Sequence, residues 1–227
     1  MDDISRFALY IIPEGPLGTF GEAWLGWDAG QGRALPPPAD APPGWERMTA
    51  EPRRYGFHAT IKPPFRLSPG MTADGLHAAV AGLCAGLAPV VCDGLSLAAL
   101  DGFLALLPDG DTGALDRLAA RVVTELDPFR RPAPPEELAR RRAACLTPRQ
   151  EAHLLRWGYP YVMDDFRAHF TLTGRLEPGE RDAIAAHLGR QLSGLPLRPL
   201  RIDSLCLAGE QAGGGFRRLH RYPLSAG

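Results

Sequence analysis

The sequence predicts an α+β protein in which one strand–helix–strand unit occurs twice. Three observations carry that expectation: period-two alternation interspersed with helical patterns, two His-x-Thr tripeptides over a hundred residues apart, and a common series of landmarks after each. In RYGFHATIKPPFRL, residues 54–67, the side chains of His58, Thr60 and Lys62 alternate with Phe57, Ala59 and Ile61. A strand puts such a set on one face. In HFTLTGRL, His169, Thr171, Thr173 and Arg175 alternate in the same way with Phe170, Leu172 and Gly174. Aligning the tripeptides brings LSPG, ending at Gly70, onto LEPG, ending at Gly179. A helical stretch follows each, and both copies reach Asp-x-Leu-x-Leu at Asp93 and Asp203, 23 and 24 residues after the glycines. Two similar lobes related by approximate twofold symmetry are expected, around residues 54–108 and 165–224 of a single domain covering 1–227. A helical segment at about 111–158 links them.

The elements follow in order. Residues 6–13, RFALYIIP, read as a first strand. The next run, GPLGTFGEAWLGWDAG, reads as a short helix with Phe20, Trp24 and Trp27 near one side. Residues 30–44 hold Pro36, Pro37, Pro38, Pro42 and Pro43 and form a loop, either a rim over the motif that follows or a plain surface connection. The strand through His58 loses regular pairing at Pro63 and Pro64. A helix over about 73–87 takes Thr72 as its N-cap, with Asp74 in the first turn. Strands at 90–97 and 103–107 lead to a helix at 112–126 opened by Asp111. A basic helix begins at Pro134 and Pro135, and Thr147-Pro148-Arg149-Gln150 is a capping box for a helix ending at Gly158. A helix over 182–192 completes the second unit, and Gly213-Gly214-Gly215 reads as a hairpin loop.

Composition narrows the class. With 227 residues, 45% hydrophobic and 22% charged, the chain reads as an ordinary globular protein with a substantial core. A net charge of −1 provides no global field for long nucleic acid. Cys84, Cys92, Cys145 and Cys206 include no Cys-x-x-Cys pair, which argues against a disulfide scaffold or zinc ribbon. The acidic start, MDDISRF, is unlike a signal peptide, and no run approaches a membrane span. A soluble cytoplasmic location and no membrane partner are therefore expected. The sequence leaves the oligomeric state open.

A histidine and a threonine two residues apart on a strand stand about 7 Å apart. Twofold symmetry would set two such pairs across a groove, which suits in-line displacement at phosphorus. One neutral histidine takes a proton from the attacking water, and the other, protonated, gives one to the departing oxygen. Threonine hydroxyls donate to non-bridging oxygens, and no metal or other cofactor is required. His58, Thr60, His169 and Thr171 are the candidate catalytic residues. Lys62 and Arg175, in strand phase with them, are candidate substrate-binding cations. His77, His153, His187 and His220 lack metal-ligand spacing. Asp164 and Asp165 read as loop carboxylates, Arg140–Arg142 as a charged helix face, and Tyr55, Tyr159 and Tyr161 either as stacking groups for a base or ribose or as packing.

The paired motifs resemble the two-histidine (2H) phosphoesterase superfamily, which includes the RNA 2′,3′-cyclic phosphodiesterases. The strings RRYGFHATIKPPFRL and LTPRQEAHLLRWGYPYVMDDFRAHFTLTGRL more closely resemble a branch found with phosphonate-degradation operons. The likeness runs from RFALYIIP to FRRLHRYPL. It implies a bilobal fold with two antiparallel sheets lining a central cleft and helices outside. It also implies metal-independent hydrolysis of a small or terminal cyclic phosphodiester, with the family roles falling on His58, Thr60, His169 and Thr171. A phosphate-binding or sensing module without turnover is the alternative, and a metallohydrolase a more distant one.

Overall fold

Residues 4–226 are described by a computed structural model; the acidic start at residues 1–3 and Gly227 lie outside it. The chain opens with β1 (Phe7–Ile11), whose alternation is used on both faces. Phe7, Leu9 and Ile11 enter the main core beneath the helices. Ala8, Tyr10 and Ile12 pack on the opposite face with Cys206, Ala208 and Phe216. Helix α1 (Gly15–Leu25) follows and ends where Gly26 adopts φ 71°. Trp27 therefore lies past the helix, in the short hairpin of β2 (Trp27–Asp28) and β3 (Arg33–Ala34), and does not share a helix side with Trp24. Residues 45–53 carry no element in the sequence reading, yet they form α2 (Trp45–Arg53), with Trp45, Met48 and Thr49 buried. Its last turn contains Pro52, and a polar exposed face hides its periodicity.

The motif strand β4 (Ala59–Phe65) leads to α3 (Ala73–Ala85), where Thr72 Oγ1 accepts from the backbone N–H of Gly75 at 3.0 Å. Strands β5 (Val90–Cys92), β6 (Gly94–Leu100) and β7 (Phe103–Asp109) precede α4 (Gly113–Glu125). Asp111 Oδ1 accepts from the N–H of Gly113 at 2.8 Å and so helps open α4. Helix α5 (Pro135–Arg142) is followed by α6 (Pro148–Trp157), at whose start both halves of the Thr147–Gln150 capping box are formed. The second unit runs through β8 (Phe170–Thr171), α7 (Pro178–Leu192), β9 (Leu200–Ile202), β10 (Ser204–Glu210) and β11 (Phe216–Pro223).

The fold is α+β. Its main sheet has the order β11-β10-β1-β4-β8-β7-β6, with every neighbouring pair antiparallel. A four-strand ladder and a three-strand ladder meet at one residue pair, Ala59 with Phe170. Helices contact the sheet reciprocally: α3 of the first unit packs on β10 and β11 of the second, and α7 of the second on β6 and β7 of the first.

The two repeats also meet at equivalent positions. Ala59 and Phe170 are the middle residues of the two His-x-Thr motifs, and they pair with each other. Away from the sheet, Val91 pairs with Arg201 between β5 and β9, each two residues before the shared Asp-x-Leu-x-Leu. Antiparallel pairing of equivalent residues requires a local twofold axis between them, so an approximate axis passes through both contacts.

The backbone after the second motif is anchored by the first two helices. Trp24 Nε1 donates to the Leu172 carbonyl at 2.8 Å, Trp45 Nε1 donates to the Trp24 carbonyl at 2.7 Å, and the Gly174 N–H donates to the Met48 carbonyl at 2.6 Å. Replacing Trp24 by Phe keeps an aromatic ring but leaves the Leu172 carbonyl without this donor. Trp24→Phe is expected to cost roughly 1–3 kcal/mol in urea unfolding; an unchanged midpoint would show that the bond contributes nothing.

Candidate active site

Each motif histidine is held in the same local way. Helix α2 ends in a turn that requires Gly56 at φ 73°, and the Nδ1–H of His58 donates back to the Gly56 carbonyl at 2.9 Å. In the second motif, Nδ1 of His169 donates to the Arg167 carbonyl at 2.7 Å. In both cases the acceptor lies two residues before the histidine. This bond selects the Nδ1–H tautomer and leaves Nε2 as the exchangeable nitrogen. Nε2 of His58 lies 3.0 Å from Thr60 Oγ1, which donates to it in that tautomer.

The Ala59–Phe170 pairing then determines how the motifs face each other. Continuing the antiparallel register by one residue sets His58 across from Thr171 and Thr60 across from His169. The histidines become diagonal neighbours, a relation that separates residues by roughly 7–8 Å, and their Cβ atoms by somewhat less. A cleft of about 530 Å³ opens on this face, lined by His58, Thr60 and Thr171 together with tyrosines and arginines. His169 stands beside its wall, with its ring 5.7 Å from that of Phe103, which lines the cleft.

The two histidines have unequal surroundings. The His58 ring lies against Tyr10, with centroids 3.7 Å apart, and also faces Tyr55 at 6.3 Å. Burial pushes the His58 imidazole down to about 4; the Gly56 carbonyl opposes that shift, and the nearby His169 reinforces it. His58 is therefore neutral at pH 7, with its Nε2 lone pair accepting from Thr60 Oγ1.

Lys62 is not in the cleft, contrary to the strand-phase expectation. Leu9 pairs with Lys62, whereas its neighbour Tyr10 pairs with Thr60, so β4 carries one extra residue at this point. This bulge moves Lys62 from the face of Thr60 to that of Leu9. Lys62 is 1% exposed, and its Nζ donates to the Val123 carbonyl on α4 at 3.0 Å, with Asp127 Oδ1 at 3.9 Å. Burial pushes its ammonium down to about 8, with Asp127 opposing the shift and Arg130 adding to it. Arg175, by contrast, does line the cleft. Thr173 also lines it, but its hydroxyl accepts from the N–H of Leu104 at 3.0 Å and thereby pins the motif to β7.

Other expectations resolve individually. Asp165 pairs with Arg149 at 2.8 Å and His153 at 3.3 Å, tying the loop before the second motif to α6. Arg141 does more than complete a charged helix face: it lines the cleft, with its guanidinium 4.9 Å from the Tyr159 ring centroid. Tyr55 and Tyr159 line the cleft, while Tyr161 packs edge-on against Tyr159. The proline-rich segment 30–44 supplies none of the lining among the described residues; Glu51 and Pro52 of the following α2 do. Sequence reasoning misses Arg6, Tyr10, Glu51 and Phe103. For Tyr10 a signal exists: one hydroxyl-bearing residue on the Ala8–Ile12 face of an otherwise apolar strand. Among the described residues, no three His, Cys, Asp or Glu side chains converge as metal ligands, and no helix is long and apolar enough to cross a membrane.

The molecule is thus an antiparallel α+β scaffold that joins two His-x-Thr motifs at one residue pair, with His58, Thr60 and Thr171 lining a shared cleft. The chain belongs to the family described as protein of unknown function (DUF1045), which matches residues 60–217. It is 37% identical over 241 residues to ribose 1,5-bisphosphate phosphokinase PhnN of Janthinobacterium sp. (strain Marseille), covering 99% of this chain and 52% of that protein. Identity to the protein of the same name from Laribacter hongkongensis (strain HLHK9) is 34% over 222 residues, covering 93% and 50%. The chain spans about half the length of these curated relatives. Among solved structures, TT0787 of Thermus thermophilus aligns with a TM-score of 0.44 at 14% identity, covering 97% of this chain and 98% of that one. A structure described as a phosphoesterase aligns with a TM-score of 0.43 at 14% identity, covering 98% and 99%.

The position of Lys62 has a measurable consequence. The folded protein releases this proton near pH 8, whereas an unfolded lysine holds it to about 10.5. Stability therefore rises as pH increases through that window. Relative to Lys62→Met, wild type is expected to gain on the order of 2 kcal/mol between pH 7.5 and 10 in urea unfolding. Parallel pH responses of the two proteins would contradict the buried-amine assignment.

Proposed function

We propose that the chain is a 2H-type phosphoesterase that hydrolyses a small or terminal cyclic phosphodiester without a metal. A 2′,3′-cyclic nucleotide or a ribose cyclic phosphate is the proposed substrate type, and a place in phosphonate metabolism is part of the reading. The observation that supports it is the Ala59–Phe170 pairing, which joins the two motifs where His58, Thr60 and Thr171 line one cleft and His169 stands beside its wall. Neutral His58 takes a proton from water at Nε2 as the water attacks phosphorus. The P–O ring bond breaks on the far side, and protonated His169 supplies a proton to the departing oxygen. Water is added across that bond, and both histidines are reset by proton exchange. With substrate bound, the Thr60 hydroxyl turns from His58 Nε2, which frees that lone pair for the water, and Thr60 and Thr171 donate to the non-bridging oxygens, where charge accumulates. Arg175 is proposed to add positive charge at the cleft wall.

The relatives' name refers to a phosphorylated ribose, which is compatible with a sugar phosphate in this cleft. The phosphokinase activity in that name belongs to proteins about twice as long. This chain contains no G-x-x-x-x-G-K-[ST] phosphate loop, and Lys62 is its only lysine. A binding module that senses a phosphorylated metabolite is the second reading. The twice-repeated Nδ1 tether favours turnover, because it prepares both Nε2 atoms for proton transfer.

Assays with adenosine 2′,3′-cyclic monophosphate and ribose cyclic phosphates test this reading. His58→Ala and His169→Ala are each expected to lower kcat by about 10²–10⁴, and Thr60→Val or Thr171→Val by about 10–10³. Full activity in both histidine variants would exclude the mechanism. The pH dependence of kcat/KM should be bell-shaped. Its acidic limb should fall near pH 4, where His58 gains a proton, and not near the 6.5 of an ordinary histidine. An acidic limb that His58→Ala leaves in place would assign it to another group.

A further inference from the structure

Three buried side-chain polar atoms have no hydrogen-bond partner among the described residues: Tyr10 Oη, Arg141 Nε and Arg221 Nε. Arg221 Nε nonetheless lies 3.1 Å from Glu14 Oε1, within ion-pair distance. The remaining two belong to residues that line the same cleft as His58, Thr60 and Thr171. Buried hydroxyl and guanidinium groups are normally satisfied, because leaving one unpaired forfeits the hydrogen bonds it made in water. Two such groups at one cleft point to a ligand that completes them.

Tyr10 is held firmly. It is 1% exposed, sits on β1 directly across from Thr60, and packs between the His58 ring and Phe216 at 3.7 and 6.0 Å. Burial keeps its phenol protonated by pushing it well above its ordinary value, so the hydroxyl remains a donor. Arg141 is held independently: Nη2 donates to Glu137 Oε1 at 2.8 Å and the guanidinium lies over Tyr159, which leaves Nε–H without a partner. Arginine has no acceptor, and both residues therefore present donors. The repeat supplies no second copy of Tyr10. β1 stands between β10 and β4 as β7 stands between β6 and β8, but Ala105 of β7 lies across from Thr171 where Tyr10 lies across from Thr60. Phe103, which has no hydroxyl, lies beside His169.

We propose that Tyr10 and Arg141 are specificity-determining residues whose hydroxyl and Nε–H donate to oxygen atoms on the body of the substrate, apart from the reacting phosphate held by the His-x-Thr pairs. The substrate class is thereby narrowed to diesters with an oxygen-bearing group, a sugar hydroxyl or a further anionic oxygen, on the His58 side of the phosphorus. This rests on the site reading above, because it takes the His-x-Thr pairs as the reacting centre. A site built to hydrogen-bond such a group discriminates strongly against analogues lacking it, because its own donors are then left unpaired.

The full chain and two conservative variants test it. Tyr10→Phe deletes only the hydroxyl and retains the stack on His58, and Arg141→Lys keeps a cation beside Glu137 while removing Nε–H. Calorimetric titrations use adenosine 2′-phosphate, adenosine 3′-phosphate and inorganic phosphate. Both variants are expected to weaken nucleotide binding about tenfold or more and to change phosphate binding less than about twofold. The urea midpoint of free Tyr10→Phe is expected to equal or exceed that of wild type, since an unsatisfied group has been removed. A lower midpoint with unchanged nucleotide affinity would make the hydroxyl a structural donor and overturn the proposal. So would nucleotide affinities within twofold of wild type in both variants, or a wild type that binds no nucleotide. Should wild type bind nucleotides but hydrolyse no cyclic diester, the hydrolase reading fails and the titrations still decide the roles of Tyr10 and Arg141.

Discussion

The antiparallel pairing of Ala59 with Phe170 is the constraint on which the rest of the structure depends. It is one rung long, yet it joins the two halves of the main sheet and sets the motifs in register. A slip by one residue would turn one motif's polar side chains toward the helices and bury them, because strand faces alternate. The core opposes that slip. Ala59 and Phe170 are both fully buried, and Phe170 packs 5.6 Å from Phe57. The Phe57 ring in turn lies where a side chain at Gly21 would be, so α1 can approach closely only because that position is glycine. The register of the cleft is thus maintained by packing on the opposite side of the sheet.

The reciprocal exchange between repeats explains how so short a contact persists. Each unit covers the other's hairpin with its helix, α3 on β10 and β11, α7 on β6 and β7. Separating the motif strands would therefore expose apolar surface under both helices, and burial on that scale outweighs the few hydrogen bonds at the junction. The second contact on the approximate axis, Val91 with Arg201, closes the arrangement away from the sheet.

Much of this is legible in the sequence, for identifiable reasons. Local signals with a single physical solution read directly: the Thr72 cap, the Thr147–Gln150 box and the Gly213–Gly215 turn depend on neighbours a few residues away. The repeat reveals the motifs because its landmarks sit at matching intervals. Lys62 illustrates the limit. Period-two reasoning extends the face of His58 and Thr60 by one more step, and a bulge stops it there; the bulge becomes visible only when β1 supplies the opposing register. Helix α2 escapes a sequence reading because its burial depends on Trp24 and the second motif, far away in sequence. Arg141 reads as part of a solvated face because no local pattern indicates which arginine of a basic helix turns toward a cleft.

The approximate symmetry relates β1 to β7 in strand order but not in side chains, and that difference has a chemical consequence. Duplication alone would make the histidines interchangeable. β1 beside β4 and β7 beside β8 hold equivalent places, yet β1 sets the Tyr10 ring and its buried hydroxyl against His58, where β7 has Ala105 across from Thr171 and the ring near His169 is that of Phe103. Desolvation disfavours the charged imidazole of His58. A symmetric scaffold supplies two proton-transfer groups at matched geometry, but directional chemistry needs them in different protonation states. The ring stacked on His58, that of Tyr10, also carries a buried hydroxyl with no hydrogen-bond partner among the described residues. Under the proposed mechanism, the neutral state of His58 and recognition of the substrate body both trace to Tyr10 on β1.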